Sequence, residues 1–172
     1  PFEVLANLNK SQISILNELS SYPFIYLPLY STKSKDLEPG IGSGINQWNS
    51  KPRKGQEKRG DNELYIPIPA WIHKQFKGFF PNNNNEKFEL ELPNGQILNA
   101  KMCQAGQKGL MSNPNKALGK WVLRDVLKVP VGILVDRKYL DMIGIDSVIV
   151  FKISDTRYKI DFASTGKFEE FK

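Results

Sequence analysis

The chain has 172 residues, of which 40% are hydrophobic and 11% aromatic, and it carries a net charge of +6 at neutral pH. That length and apolar content support one sizeable core and fit a single globular domain, which excludes a disordered tail. A lone cysteine, Cys103, excludes an internal disulfide and every multi-cysteine zinc site, and no run approaches the roughly eighteen apolar residues of a membrane span.

The chain opens at Pro1, as it would after removal of a methionine or as a piece of a longer polypeptide, and both readings stay open. No signal-peptide pattern follows, and with one cysteine, expected as a small buried residue, a reducing cytoplasmic compartment is the default. Spacing predicts a short amphipathic helix over Lys10–Leu19, capped by Asn9. Leu8 and Ile13 form its hydrophobic staple, and Ile13, Leu16 and Leu19 its apolar stripe. Tyr22-Pro23 ends it, and the dominant period then becomes two.

Seven strands are predicted: Phe24–Tyr30, Leu64–Pro69, Phe88–Leu92, Leu98–Met102, Trp121–Lys128, Ser147–Ile153 and Arg157–Ala163. The third and fourth form a hairpin, because Phe88, Leu90 and Leu92 alternate with Glu89 and Glu91 and Asn94-Gly95 supplies a tight turn. Pro28, Pro67 and Pro69 lie inside the first two strands. A proline has no N–H for a ladder, so those strands belong at an open edge or a bulge, and an open barrel is expected. Two further helices are predicted, Ala70–Lys77 ended by Gly78 and Arg137–Ile143 capped by Asp136 and ended by Gly144. Asn82–Asn85 reads as a solvated turn. The fold class is thus all-β with short flanking helices, a single domain whose barrel covers about residues 24–163.

Positive charge is concentrated. Between Ser43 and Gly60, Lys51, Arg53, Lys54, Lys58 and Arg59 stand against Glu57, a net +4; between Lys101 and Lys128, six cations stand against Asp125, a net +5. The rest of the chain is therefore at −3. Both stretches fall in connections unusually long for a compact β domain, 31–62 and 104–120, and a polyanion is their natural partner.

The first connection mixes the groups that nucleic-acid readout uses. Lys51, Lys54 and Lys58 neutralise phosphates; Asn46, Gln47, Asn49, Gln56 and Asn62 can bond base edges in pairs; Arg53 or Arg59 can fork onto guanine; Trp48 offers a flat packing surface. Asp61 and Glu63 either accept from a cytosine amino group or pair with Arg59 or Lys58. The second connection repeats the recipe with Gln104, Gln107, Lys108, Ser112, Asn113, Asn115, Lys116 and Lys120. Ordinary solvated loops would share this composition residue by residue; the joint charge favours DNA or RNA contact.

A catalytic centre is not expected. His73, in a predicted helix beside Lys74, is the one histidine, so a site needing two imidazoles cannot be built, and it reads as a surface or boundary residue. No acidic pair is followed by a lysine at nuclease spacing, and Gly40-Ile41-Gly42 lacks the lysine and helix of a phosphate-cradling loop. No cofactor or metal is expected. Two rivals remain: a self-contained metal-dependent nuclease, and a single-strand or RNA-binding barrel. The latter prefers exposed aromatics where this hairpin has Glu89, Glu91, Asn99 and Lys101.

The segments SGINQWN (43–49), NELYIPIP (62–69), ELPNGQILNAKMCQ (91–104), SNPNKALGKWVLRDVL (112–127) and IGIDSVIVFKI (143–153) together resemble the C-terminal DNA-recognition domain of BfiI/NgoFVII-type restriction endonucleases. That domain shares the pseudobarrel of the plant B-three and EcoRII amino-terminal domains. The resemblance implies a seven-stranded open pseudobarrel whose amino- and carboxy-terminal arms clamp the major groove of double-stranded DNA. It also implies a prokaryotic parent chain with a separate amino-terminal nuclease domain of phospholipase-D type, of which this chain is a fragment. An ATP-dependent helicase partner is compatible with it. Carried over to motif positions, it singles out Asn46, Gln47, Arg53, Arg59, Asp61, Asn113, Asn115, Lys116, Trp121 and Arg124, with Trp121 either at the junction of arm and barrel or in the core.

Overall fold

A computed structural model describes residues 16–172. The cap, staple and first turns expected around residues 8–15 lie outside that span; residues 16–19 are helical, and Leu19 packs on Ile149 and Phe151.

Seven strands form one mixed sheet: β1 (Phe24–Pro28), β2 (Ile66–Pro67), β3 (Phe88–Glu91), β4 (Ile97–Cys103), β5 (Gly109–Ser112), β6 (Ile145–Ser154) and β7 (Arg157–Ser164), in the order β1-β6-β7-β3-β4-β5-β2. The two proline-bearing strands are the two edges. In β1, Ile25 and Leu27 point into the core and Pro28 closes the strand; around β2, Ile66 and Ile68 point inward while Pro67 and Pro69 are half-buried. A proline costs least where only one neighbour must be bonded. The edges approach one another without a shared ladder, so the sheet curls into an open half-barrel.

The hairpin forms as the alternation predicts. Leu90 pairs with Leu98 and Phe88 with Ala100, and the Leu92 N–H reaches the Gln96 carbonyl at 2.8 Å across a turn containing Gly95. Strand β3 runs parallel to β7, which places Glu89 and Glu91 within ion-pair distance of Arg157 and Lys159. Inside, Phe79, Phe80, Phe88 and Tyr158 form an aromatic cluster, with the Tyr158 hydroxyl donating to the Phe79 carbonyl.

Besides the helical residues 16–19, four short α-helices are found among the described residues: α1 (Ala70–Gln75), α2 (Asn115–Gly119), α3 (Arg137–Ile143) and α4 (Lys167–Phe171). The ends of α3 are as expected. Asp136 accepts from the Tyr139 N–H at 2.8 Å, and Gly144 takes the left-handed conformation, φ 83°, that stops the helix. Helix α1 stops at Gln75, two residues before the predicted end. Helix α4, which the pattern does not announce, buries Phe168 and stacks Phe171 on Phe76 with centroids 5.5 Å apart.

One expected strand is absent. Residues 121–128 continue α2 as a π-helical segment, Lys120–Val126, in which the Leu127 N–H reaches back five residues to the Val122 carbonyl. Trp121, Val122, Leu123 and Leu127 are buried while Lys120, Asp125 and Lys128 face water, a helical distribution that the β-branched and aromatic residues disguise. The seventh strand is instead β5, inside the segment expected to be a loop.

Candidate nucleic-acid interface

The first long connection divides into a root and a tip. SGINQWN forms a 3₁₀ turn, Gly44–Asn49, that inserts Ile45 and Trp48 into the core, so Trp48 is no exposed platform. Asn46, 1% exposed, donates to the carbonyls of Gly40 (2.9 Å) and Val135 (2.8 Å) and accepts from the Val135 N–H (3.0 Å). Its amide is committed to the backbone and has no surface exposed for a base edge. Gln47 is buried and meets Asn115 at 3.5 Å, while Asn49 donates to the Ile41 carbonyl.

The tip is residues 51–58, every one exposed; Lys51, Arg53, Lys54, Gln56 and Lys58 project there, around a turn in which the Gln56 N–H meets the Arg53 carbonyl. The chain then closes on itself. Arg59 lies 3.7 Å from Glu63, whose other oxygen accepts from the Gly60 N–H at 2.6 Å, so Glu63 is engaged with the arm itself and not aimed outward. The Asp61 side chain is exposed, and the Asp61 carbonyl and the Asn62 Oδ1 both accept from Arg124 at 2.9 Å. Arg124 also donates to the Val129 carbonyl at 2.5 Å. Its guanidinium therefore staples the root of the arm to the π-helical segment, which makes it a positioning residue and takes it off the surface that a base could reach.

Strand β5 splits the second connection into two separate pieces. Gln104, Gln107 and Lys108 occupy the β4–β5 hairpin, where Gln104 (φ 70°) and Gln107 (φ 56°) adopt the left-handed conformation. Two side chains hold that hairpin: Asn84 donates to the Gln104 carbonyl at 2.9 Å and His73 Nε2 to the Gln107 carbonyl at 2.6 Å. His73 is thus a half-buried boundary residue, and Asn84 does more than solvate a turn. Cys103, at the end of β4, is half-buried, and burial pushes its thiol up to about 11 against a small opposing pull from Lys101.

The other piece begins after β5. Ser112 is fully buried, its Oγ 2.8 Å from the Pro114 carbonyl and accepting from the Leu118 N–H at 2.9 Å. Asn115 accepts from the Leu64 N–H at 2.9 Å, and Trp121 is core. Ser112 and Asn115 therefore build the scaffold for the same reason as Asn46, since buried backbone groups need partners, whereas Trp121 does so by packing in the core. Asn113, Lys116 and Lys120 remain exposed.

Both basic segments leave the barrel side by side. A methyl group added at Gly119 would sit 1.6 Å from the Asn62 carbonyl oxygen, so α2 and the root of the first arm are in direct backbone contact. Near Asn62, Lys116, Lys120 and Trp121 line a recess of about 350 Å³. The hairpin meets the same arm elsewhere: a cleft of about 620 Å³ is lined by Lys33, Ser43, Tyr65, Trp71, Gln104 and Lys108. Lys33 and Tyr65 are absent from the sequence-based set. The alternation of YIPIP carries a signal for Tyr65, since it places Tyr65 and Pro67 on the face opposite Ile66.

Arg137, Lys152, Arg157 and Lys159 pair with carboxylates on β3, β6 and α3 and in the β6–β7 turn. Among the described residues, Lys51, Arg53, Lys54, Lys58, Lys108, Lys116 and Lys120 are exposed and lie in no ion pair, as do Lys33, Lys35, Lys74, Lys77, Lys87, Lys128 and Lys138 elsewhere on the surface; the densest run is on the arm tip. Unneutralised cations on two adjoining segments produce a local positive potential suited to a phosphate backbone.

Residues 25–154 match the family described as NgoFVII C-terminal B3-like DNA-binding domain. No curated protein matches the chain. Among solved structures, that of a hypothetical Arabidopsis thaliana protein is similar at 15% identity and a TM-score of 0.33, over 58% of this chain and 76% of that one. No helix among the described residues is long and apolar enough to cross a membrane.

Proposed function

Because the chain belongs to the family of NgoFVII C-terminal B3-like DNA-binding domains, we propose that it is the target-recognition domain of a restriction endonuclease. It grips a short duplex site through the major groove and leaves cleavage to a separate phospholipase-D-type nuclease domain of the same prokaryotic parent chain. The observation that supports this reading best is the run of exposed cations in no ion pair along the arm tip, joined by Lys116 and Lys120 on α2 and its π-helical continuation, which pack beside the root of that arm. Lys51, Lys54, Lys58, Lys116 and Lys120 take phosphates. Arg53, Gln56, Gln104 and Asn113, whose side chains are exposed, take base edges. Tyr65 and Lys33 in the cleft extend that surface.

Selection from random duplexes tests the reading: an enriched motif of defined length is expected, and enrichment of no motif refutes it. Arg53→Ala then loses about 1–3 kcal/mol at one position if it reads guanine, whereas uniform loss across sequences marks a phosphate contact. Incubation of the isolated domain with DNA and magnesium leaves the DNA intact; cutting would instead mean a nuclease centre within this chain.

A further inference from the structure

Residues 129–135 form a loop between the π-helical segment and α3 whose ends are buried and whose middle is not. Val129 and Val135 lie in the core, but Val131, Ile133 and Leu134 are 61%, 51% and 39% exposed, and Ile41 nearby is 75% exposed. These are four of the seven large apolar side chains exposed among the described residues, so the exposure is a concentrated feature.

Both ends of the loop are tied to the root of the basic arm. The Val129 carbonyl accepts from Arg124, whose guanidinium also holds Asp61 and Asn62. Val135 exchanges two hydrogen bonds with Asn46, which in addition binds the carbonyl of Gly40, next to Ile41. The loop is stiff: Pro130 begins a turn closed by the Ile133 N–H on the Pro130 carbonyl at 3.3 Å, and Gly132 supplies the positive φ of 82°. Its apolar tip is thus held at a set position beside the arm.

We infer that this tip is a third DNA-contacting element, packing Val131 and Ile133 against thymine methyl groups. The inference rests on the target-recognition reading and extends it. Charge complementarity selects the occupant. Lys128 precedes the loop and Lys51, Arg53, Lys54 and Lys58 crown the adjoining arm, all exposed and none in an ion pair among the described residues. An apolar protein surface pressed here would bury those cations without partners. A duplex supplies phosphates for them, and the thymine C5-methyl is the apolar group its major groove displays.

The test uses the domain and its selected duplex, with each thymine replaced singly by deoxyuracil to remove one methyl group. Wild-type affinity is expected to fall about fourfold at one or two positions, the worth of one buried methyl. Ile133→Ser, and independently Val131→Thr, should weaken binding to the thymine duplex and no longer distinguish thymine from uracil there, with melting temperature and salt slope unchanged. The inference is overturned if wild type ignores every uracil, if both variants keep full discrimination, or if the motif lacks A·T pairs. A selection that enriches nothing overturns the target-recognition reading beneath it, whereas an enriched motif indifferent to methyl removal overturns this inference alone.

Discussion

Gly119→Ala offers opposite signs for two physical effects at one position. Gly119 has helical backbone angles, and a glycine replaced by alanine inside an exposed helix gains about 1 kcal/mol. Here the new methyl would lie 1.6 Å from the Asn62 carbonyl oxygen and 2.6 Å from its carbon, backbone atoms that cannot rotate aside. Restoring an ordinary contact of about 3.5 Å requires the arm root and α2 to separate by about 2 Å. That movement breaks the Arg124–Asn62 hydrogen bond and strains Asn115 on Leu64. Overpacking of this kind costs about 1–3 kcal/mol and the lost hydrogen bond about 1 kcal/mol more, so after the propensity gain a net loss of about 1–3 kcal/mol is expected. For a domain of this size that lowers the melting temperature by about 2–12 °C while leaving it folded. Differential scanning calorimetry reads the shift, and an amide spectrum should show changes centred on residues 59–64. A rise in melting temperature would mean that helix and arm root are not packed, and with it would fall the account of how the two basic segments are held together.

Three other outcomes are expected. Arg137→Ala leaves Asp146, 1% exposed and 2.9 Å from the guanidinium, as an uncompensated buried carboxylate, and should cost about 3–5 kcal/mol in urea unfolding; a loss below about 1 kcal/mol would contradict that pairing. Each of Lys51→Ala, Lys54→Ala and Lys58→Ala should reduce the slope of log affinity against log salt by about 0.9 if it neutralises a phosphate, and an unchanged slope assigns that lysine no contact. The Cys103 thiol, raised from 9.0 to about 11 by burial, favours the folded state fully below pH 9, and that contribution disappears as pH rises from 9 to 11. Wild type should therefore lose more melting temperature than Cys103→Ala between pH 8 and pH 10.5, and equal losses would refute the shift.

Backbone chemistry was legible wherever one residue type answers one local need. Pro28 and Pro67 marked the edges because a missing N–H is a property of the residue itself. Asn94-Gly95, Asp136 and Gly144 marked a turn and two helix ends for the same kind of reason. Where a pattern serves two structures, the reading failed. Trp121-Val122-Leu123 suits a strand by propensity, and its burial on one side of a π-helical turn depends on Leu118 and Leu127 finding the same core. Strand β5 was hidden because Gly109–Ser112 is only four residues long and owes its ladder to Ala100–Cys103 on one side and Ile66–Pro67 on the other.

The candidate interface shows the same division more sharply. An asparagine that could read adenine and an asparagine that satisfies a buried carbonyl are one residue with one set of donors and acceptors. Asn46, Asn115 and Ser112 went to the scaffold, while Gln104 and Asn113 stayed at the surface, and no spacing along the chain separates the groups. Charge behaved otherwise: lysines are too costly to bury unpaired, so Lys51, Lys54, Lys58, Lys116 and Lys120 were bound to be exposed wherever their segments went.

By itself, then, the order of residues determined the kind of fold, its two open edges and the excess of positive charge on two stretches of chain, since each follows from covalent geometry or the cost of dehydrating a charge. Which polar groups face outward, and that Arg124 and Gly119 bring the two stretches together, was decided only in three dimensions. The reason is that burial and hydrogen-bond partnership are relations between residues some fifty to ninety positions apart, which no local pattern encodes.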